Sequence, residues 1–379
     1  MRFLFAPDSF KGSLSAVRIC EILTASARAR FPDAECISVP IADGGEGTID
    51  ALLSIVPGER ISETVTGPSG DAISAEMARL STGEYLIEMA QSTGLTKVKP
   101  ALRNPLYLTS CGLGEMISSA LDRGAERILV GLGGSATNDG GMGLLSALGA
   151  VFTSESGRIL EGMGAELEMV RGIDLSRMHP GLSRARITVI SDVNNPLLGE
   201  NGATRVYAPQ KGAGLADIEK LERGMTRYAD AFFDLYGMDI ASFPGAGAAG
   251  GCGAALCGVL YAEMRRGIDA ILDFARFDEL LQGASLVVTG EGRVDAQTAR
   301  FGKAPAGIVQ RCEKAGVPCA VVTGGMGPGA EELYALGNAM IFPVENAPMT
   351  LDCAIQSSET LLRQTADRLF WAFSAGIRQ

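Results

Sequence analysis

Short loops with side chains suited to chemistry recur along the chain. Asp8, Ser9 and Lys11 follow one apolar run, and Asp43, Gly44, Gly45 and Glu46 follow a second. Glu291, Arg293 and Asp295 follow a third, and Asp192 stands at the end of a fourth. Residues 133–141 read GGSATNDGG after the apolar stretch 128–132. Gly133 and Gly134 let a backbone approach an anion, and Ser135, Thr137 and Asn138 add hydroxyl and amide groups. A helix reading over 141–148 then offers its N-terminus, which attracts phosphate. Gln210 and Lys211 precede a long amphipathic stretch, and Gly245, Gly247, Gly250 and Gly251 form another glycine-rich segment. Gly-rich loops cradle phosphates, Lys and Arg neutralise them, and carboxylates hold Mg²⁺ or accept a hydroxyl proton. Those are the parts of phosphoryl transfer, which needs no histidine.

Other chemistries fit less well. His179 is the only histidine and sits before a proline in a polar turn, which excludes a Ser-His-Asp triad. The eight cysteines form no CxxC pair, so neither zinc nor a disulfide framework is expected. No GxxxxGK[ST] occurs, and the GxGxxG at 245–250 follows Phe243 and Pro244 rather than a strand, against a dinucleotide site. Helix capping explains Ser13 and Thr48 but not the Lys, Arg and doubled carboxylates of the loops.

The elements that must position these groups follow from periodicity. Residues 2–6 and 36–41 read as strands, each followed by a helix, over 13–30 and 48–56. Residues 60–66, 73–80 and 84–89 alternate apolar and polar between glycine turns, the pattern of an antiparallel meander. A helix is read over 113–123, strands over 128–132 and 187–191, a long helix over 215–235 and a glycine-rich helix over 250–265. The βα rhythm returns with strands at 286–289, 319–323 and 339–342, and a closing helix at 352–373. Residues 1–60 and 285–379 thus supply five parallel strands, a flavodoxin-like α/β sheet. Residues 61–284 are predicted to form a large second α/β domain, with a mixed sheet and the glycine-rich phosphate loops, inserted into the first. In open parallel sheets ligands bind beyond the carboxyl ends of the strands, where the polar clusters of the first domain fall.

Composition bounds the partners. With 379 residues, 46% hydrophobic and 20% charged, the chain reads as globular and long enough for two cores. A formal net charge of -11 argues against nucleic acid and anionic membrane. No stretch has the ~18 apolar residues of a membrane span, and the first residues carry no secretory leader, so the cytoplasm is the expected compartment.

The chain carries APDSFKGSLSA at 6–16, ADGGEGT at 42–48, GGSATNDGG at 133–141, SDVNNPLLGENGA at 191–203, PQKGA at 209–213, PGAGAAGG at 244–251 and TGEGRVDAQT at 289–298, with Gly302 and Lys303 beyond. Together these motifs resemble the glycerate kinase type 1 family, the bacterial glycerate 2-kinases. The resemblance covers nearly the whole chain. It implies ATP- and Mg²⁺-dependent phosphorylation of D-glycerate to 2-phosphoglycerate, in a flavodoxin-like domain carrying an inserted one. Leu113, Asn194 and Tyr207-Ala208 depart from residues common in the family, and none removes a charge.

On that resemblance Asp192 and Asp295 are the candidate bases, with no choice between them. Lys11 and Arg293 are candidates for the substrate carboxylate and the transferring phosphoryl group. Asp8, Ser9, Asp43, Gly44, Gly45, Glu46, Gln210 and Lys211 are candidate substrate contacts. Gly133, Gly134, Ser135, Thr137, Asn138, Gly245, Gly247, Gly250 and Gly251 would face the nucleotide, and Asp8, Asp43 and Glu291 the metal. A monomer or homodimer is expected. The alternatives are a glycerate 3-kinase, a kinase of another small hydroxy acid, or a non-catalytic phosphometabolite-binding protein.

Overall fold

A computed structural model describes residues 1–41, 45, 47–300 and 302–377. Asp43, Gly44 and Glu46, three of the predicted site residues, lie outside the described residues. The described strands are β1 (Arg2–Pro7), β2 (Glu35–Ser38), β3 (Gly58–Thr66), β4 (Ala72–Leu80), β5 (Tyr85–Glu88), β6 (Arg127–Gly131) and β7 (Val151–Thr153). They continue with β8 (Gly172–Asp174), β9 (Arg186–Ile190), β10 (Glu263–Arg265), β11 (Leu286–Val294), β12 (Cys319–Met326) and β13 (Ala339–Pro343).

The chain separates into two compact units. The first holds Met1–Asp43, Asp50–Val56 and Gly267–Gln379, and the second holds Gly44–Ile49 and Pro57–Arg266. The second crossing therefore falls at residue 266 rather than the predicted 284. The helix Gly267–Phe274 goes with the first unit because Ile268 packs directly over Gly307 of the helix Ala304–Ala315.

In the first unit five parallel strands run in the order β13-β12-β11-β1-β2, the doubly wound order of flavodoxin-like sheets. β1 is buried along nearly its whole length, as expected where helices cover both faces of a parallel sheet. Phe3 and Phe5 of β1 meet Leu362, Leu369 and Phe370 of the helix Ser358–Ile377 and Ile19 and Leu23 of the helix Ala16–Arg30. Ser15, not Ser13, caps that second helix, its hydroxyl accepting from the Arg18 N–H at 3.2 Å. Ser13 is taken up in a tight turn instead, closed by hydrogen bonding between Phe10 and Leu14.

Two strands outrun their predicted ends. β11 continues to Val294 and β12 to Met326, pairing Glu291 with Thr323 and Arg293 with Gly325. The glycines there serve close approach between strands rather than a loop. A Cβ at Gly290 would overlap the Val322 carbonyl, and one at Gly324 the Gly292 carbonyl.

The second unit is built on a six-stranded mixed sheet in the order β10-β9-β6-β5-β4-β3, with a small β7-β8 pair beside it. β3, β4 and β5 form the predicted antiparallel meander, and β5, β6, β9 and β10 run parallel. Its core gathers Ile87, Val130 and Val189 of the sheet with Met116, Leu144 and Phe232 of its helices. The continuous helix predicted over 250–265 does not form. Ala249, Gly250 and Gly251 are all left-handed, Tyr261 is again at positive φ, and the chain enters β10 beside β9. Among the described residues no helix is long and apolar enough to cross a membrane.

Candidate active site

The predicted residues of the first unit gather at the carboxyl ends of β1 and β11. The register pairs Pro7 with Gly290, and the Asp8 N–H continues it by donating to the Gly290 carbonyl at 2.8 Å. Asp8 in turn accepts the Ser9 N–H at 2.6 Å through Oδ1. The loop then crosses over Gly292, where a Cβ would lie 3.4 Å from the Phe10 Cα and 3.5 Å from the Lys11 nitrogen.

Opposite that loop, Glu291 is buried, and Thr298 donates its hydroxyl to Oε1 at 2.5 Å. Burial pushes the Glu291 carboxyl above the usual carboxylate range; the Thr298 hydrogen bond and the charges of Lys303 and Lys11 oppose this, while Asp295 adds to it. Asp295 accepts the Gln297 N–H at 3.0 Å and lies 3.4 Å from the guanidinium of Arg293, which is largely exposed. Asp8, Lys11, Glu291, Arg293 and Asp295 thus share one strand-end cluster. Lys303 joins them unforeseen. It stands immediately before the helix Ala304–Ala315, and its sequence signal was the Gly302-Lys303 pair following the TGEGRVDAQT motif.

In the second unit the loop after β6 is held on several sides. The Gly134 carbonyl accepts from Leu95 at 2.8 Å, Ala136 donates to Thr93 at 3.0 Å, and Gly140 donates to the Gly250 carbonyl at 3.0 Å. Asp139 is fully buried and accepts from the Ser110 N–H and hydroxyl and from the Gly141 and Gly143 N–H groups. Burial raises its pKa, and those hydrogen bonds pull it back.

The predicted nucleotide contacts of this loop divide into two layers. Gly133, Gly134 and Ser135 are partly or fully exposed, whereas Thr137 and Asn138 are buried beneath them. Asn138 donates to the Thr204 hydroxyl at 3.0 Å. Among the described residues, the Thr137 hydroxyl and the Asn138 side-chain amide oxygen have no hydrogen-bond partner. Lys211 is buried as well; its ammonium donates to the Ser135 hydroxyl at 2.8 Å and to the Thr137 carbonyl at 2.7 Å. Gln210, one residue earlier, is exposed.

The second glycine segment packs against the first. Gly250 and Gly251 approach Asn138 and Gly140 so closely that a Cβ would fall 2.7 Å from the Asn138 Cα and 2.6 Å from the Gly140 Cα respectively. Gly247 donates to the Asn195 carbonyl at 3.0 Å, and Gly245 lies against the Val193 carbonyl. Asp192 is exposed after β9, on the segment leading to those residues. His179 belongs to neither cluster; its Nδ1 accepts from Gly181 and its Nε2 meets Asp122 at 3.1 Å, a structural capping role. Among the described residues no group of three or more His, Cys, Asp or Glu is arranged to hold a metal.

The pattern of the Glycerate kinase family matches residues 3–374. A glycerate kinase of Bacillus cereus is 41% identical over 370 residues, 97% of each chain. A glycerate 2-kinase of Escherichia coli K12 is 38% identical over 379 residues, 100% of this chain and 99% of its own. The crystal structure of a putative glycerate kinase 2 from Salmonella typhimurium LT2 superposes with a TM-score of 0.88 at 39% identity, covering 100% of both chains.

Proposed function

The chain belongs to the glycerate kinase family, and from that premise we propose that it transfers the γ-phosphoryl group of ATP to the 2-hydroxyl of D-glycerate. The observation that carries the reading is the cluster at the ends of β1 and β11, where Asp8, Glu291 and Asp295 stand with Lys11, Arg293 and Lys303. Bases and cations at one strand end, with no histidine among them, are what phosphoryl transfer to a small hydroxy acid requires.

Magnesium fits the residues present. It keeps several waters and uses one or two carboxylates beside the nucleotide phosphates, so a three-residue cage is not needed. Asp8 and Glu291, neighbours across the β1–β11 register, would hold it. When bound, it neutralises charge on the phosphate oxygens.

In the transfer, the substrate hydroxyl oxygen bonds to the γ-phosphorus as the bond to the β,γ-bridging oxygen breaks, and ADP leaves with that electron pair. The hydroxyl proton passes to a carboxylate. Asp295 is the better candidate of the two, because it stands in electrostatic reach of Glu291 and beside Arg293. Lys11 and Arg293 meet the substrate carboxylate and the phosphoryl charge. Residues 133–135 contact the nucleotide, and the buried glycines of 245–251 back that loop from within.

ADP release measured with ATP and a panel of D-glycerate, L-glycerate, lactate and glycerol tests the reading. Turnover concentrated on D-glycerate supports it. Preference for another hydroxy acid, or no turnover with a nucleotide-binding protein, would move the assignment to the kinase or sensor alternatives.

A further inference from the structure

We propose that Lys211 is a positioning residue for the nucleotide: its buried ammonium sets the 135–137 backbone and turns the Ser135 hydroxyl hydrogen outward as a donor to a phosphate oxygen. The inference rests on the reading of residues 133–135 as a nucleotide contact. Only 3% of Lys211 is exposed, so its ammonium cannot itself meet a substrate in this conformation. Among the described residues it makes no ion pair. Its two acceptors, the Ser135 hydroxyl and the Thr137 carbonyl, lie two residues apart on one loop.

Burying an ammonium with no carboxylate in direct contact, and only the buried Asp139 carboxylate in electrostatic reach, is unfavourable, and an apolar side chain of similar length would fill the space more easily. What the lysine supplies instead is a fixed geometry and a charge behind the loop. Because the Ser135 oxygen accepts from Lys211, its own hydrogen must point elsewhere. Ser135 is half-buried, at the loop's partly exposed edge, while Thr137 below it is fully buried. The positive charge behind the hydroxyl makes that outward hydrogen a stronger donor. The loop thereby presents positive potential to a phosphate without exposing a cation. The turn Pro209–Lys211, closed by Gly212 at φ 98°, aims the lysine inward.

The test measures ATP dissociation constants by calorimetry and steady-state constants for ATP and D-glycerate, in wild type, Lys211→Met, Ser135→Ala and the double variant. Lys211→Met should weaken ATP binding at least tenfold, leave the glycerate KM within twofold and shift Tm by no more than about 3 °C. Ser135→Ala should weaken ATP binding in the same direction. The double variant should be no worse than Lys211→Met alone, because the two changes remove one device. ATP affinity within twofold of wild type in folded Lys211→Met, or multiplicative losses in the double variant, would overturn the proposal. So would a large fall in Tm with ATP affinity intact, the mark of a purely structural lysine. Should Lys211→Met prove insoluble, Lys211→Gln, which keeps a donor without the charge, is read against the same thresholds. The binding constants decide the matter even if wild-type turnover with D-glycerate fails, so this proposal and the kinase reading fail separately.

Discussion

Gly250 and Gly237 have nearly the same backbone and entirely different surroundings, which makes them a matched pair. Gly250 has φ 68° and Gly237 φ 66°, both left-handed. Gly237 ends the helix Leu215–Tyr236, and an added Cβ there meets nothing within 4 Å. At Gly250 the Cβ would lie 2.7 Å from the Asn138 Cα and closer still to the Thr137 carbonyl. Placing alanine in a left-handed conformation costs about 1–2 kcal/mol at either site. Forcing the two loops apart at Gly250 adds about 1–3 kcal/mol. Gly250→Ala should therefore destabilise by roughly 2 kcal/mol more than Gly237→Ala. It should also raise the KM for ATP, since the loop it displaces holds Ser135. The assay is urea unfolding followed by circular dichroism, with ATP kinetics on the folded proteins. Equal stability losses, or an unchanged ATP KM in Gly250→Ala, would refute the claim that the two glycine segments are packed as one structural unit for the nucleotide.

Two further outcomes follow from the carboxylates and the buried lysine. Asp295→Asn should lower kcat by roughly 10²–10⁴ with the fold intact, and Asp192→Asn by far less; near-normal turnover of Asp295→Asn removes it as the base. Burial lowers the Lys211 pKa from 10.5 to about 8, so between those values the unfolded chain binds the additional proton and this group adds stability as pH rises. The gain amounts to about 3 kcal/mol across the window and is absent in Lys211→Met. Buried thiols such as Cys20, pushed up to about 12, act in the opposite direction but cancel when the two proteins are compared. Parallel stability profiles of the two proteins from pH 8 to 10 would contradict the lowered pKa.

The parts of the fold legible in the sequence were those whose period is strong. The five parallel strands declare themselves as short apolar runs followed by helices, and the 60–89 meander by the alternation of its first two strands and the glycine turns between them. Misreadings arose where glycine carries two meanings. Gly290 and Gly324 read as loop punctuation, yet they let strands β11 and β12 lie close enough to continue pairing, while Gly292 makes room for the Phe10–Lys11 loop. At 249–251 glycine reads as a helix start, whereas the backbone turns left-handed to fit against residues 137–140. The first-unit cluster was legible because strand polarity puts Asp8, Glu291 and Asp295 at one end of the sheet. The depth of Lys211, Thr137 and Asn138 was not, because it depends on long-range packing of three loops that no local pattern encodes. Lys303 stands among the motifs, but its role does not: its place beside Glu291 is set by the helix it precedes, across the sheet end.

The most direct test of the account is the product itself. Incubating the protein with ATP, Mg²⁺ and ¹³C-labelled D-glycerate and recording ³¹P and ¹³C spectra should show phosphorus coupled to C2, with ADP formed in equal amount. Coupling to C3 instead, or unaltered glycerate beside ATP in the presence of folded protein, would contradict it.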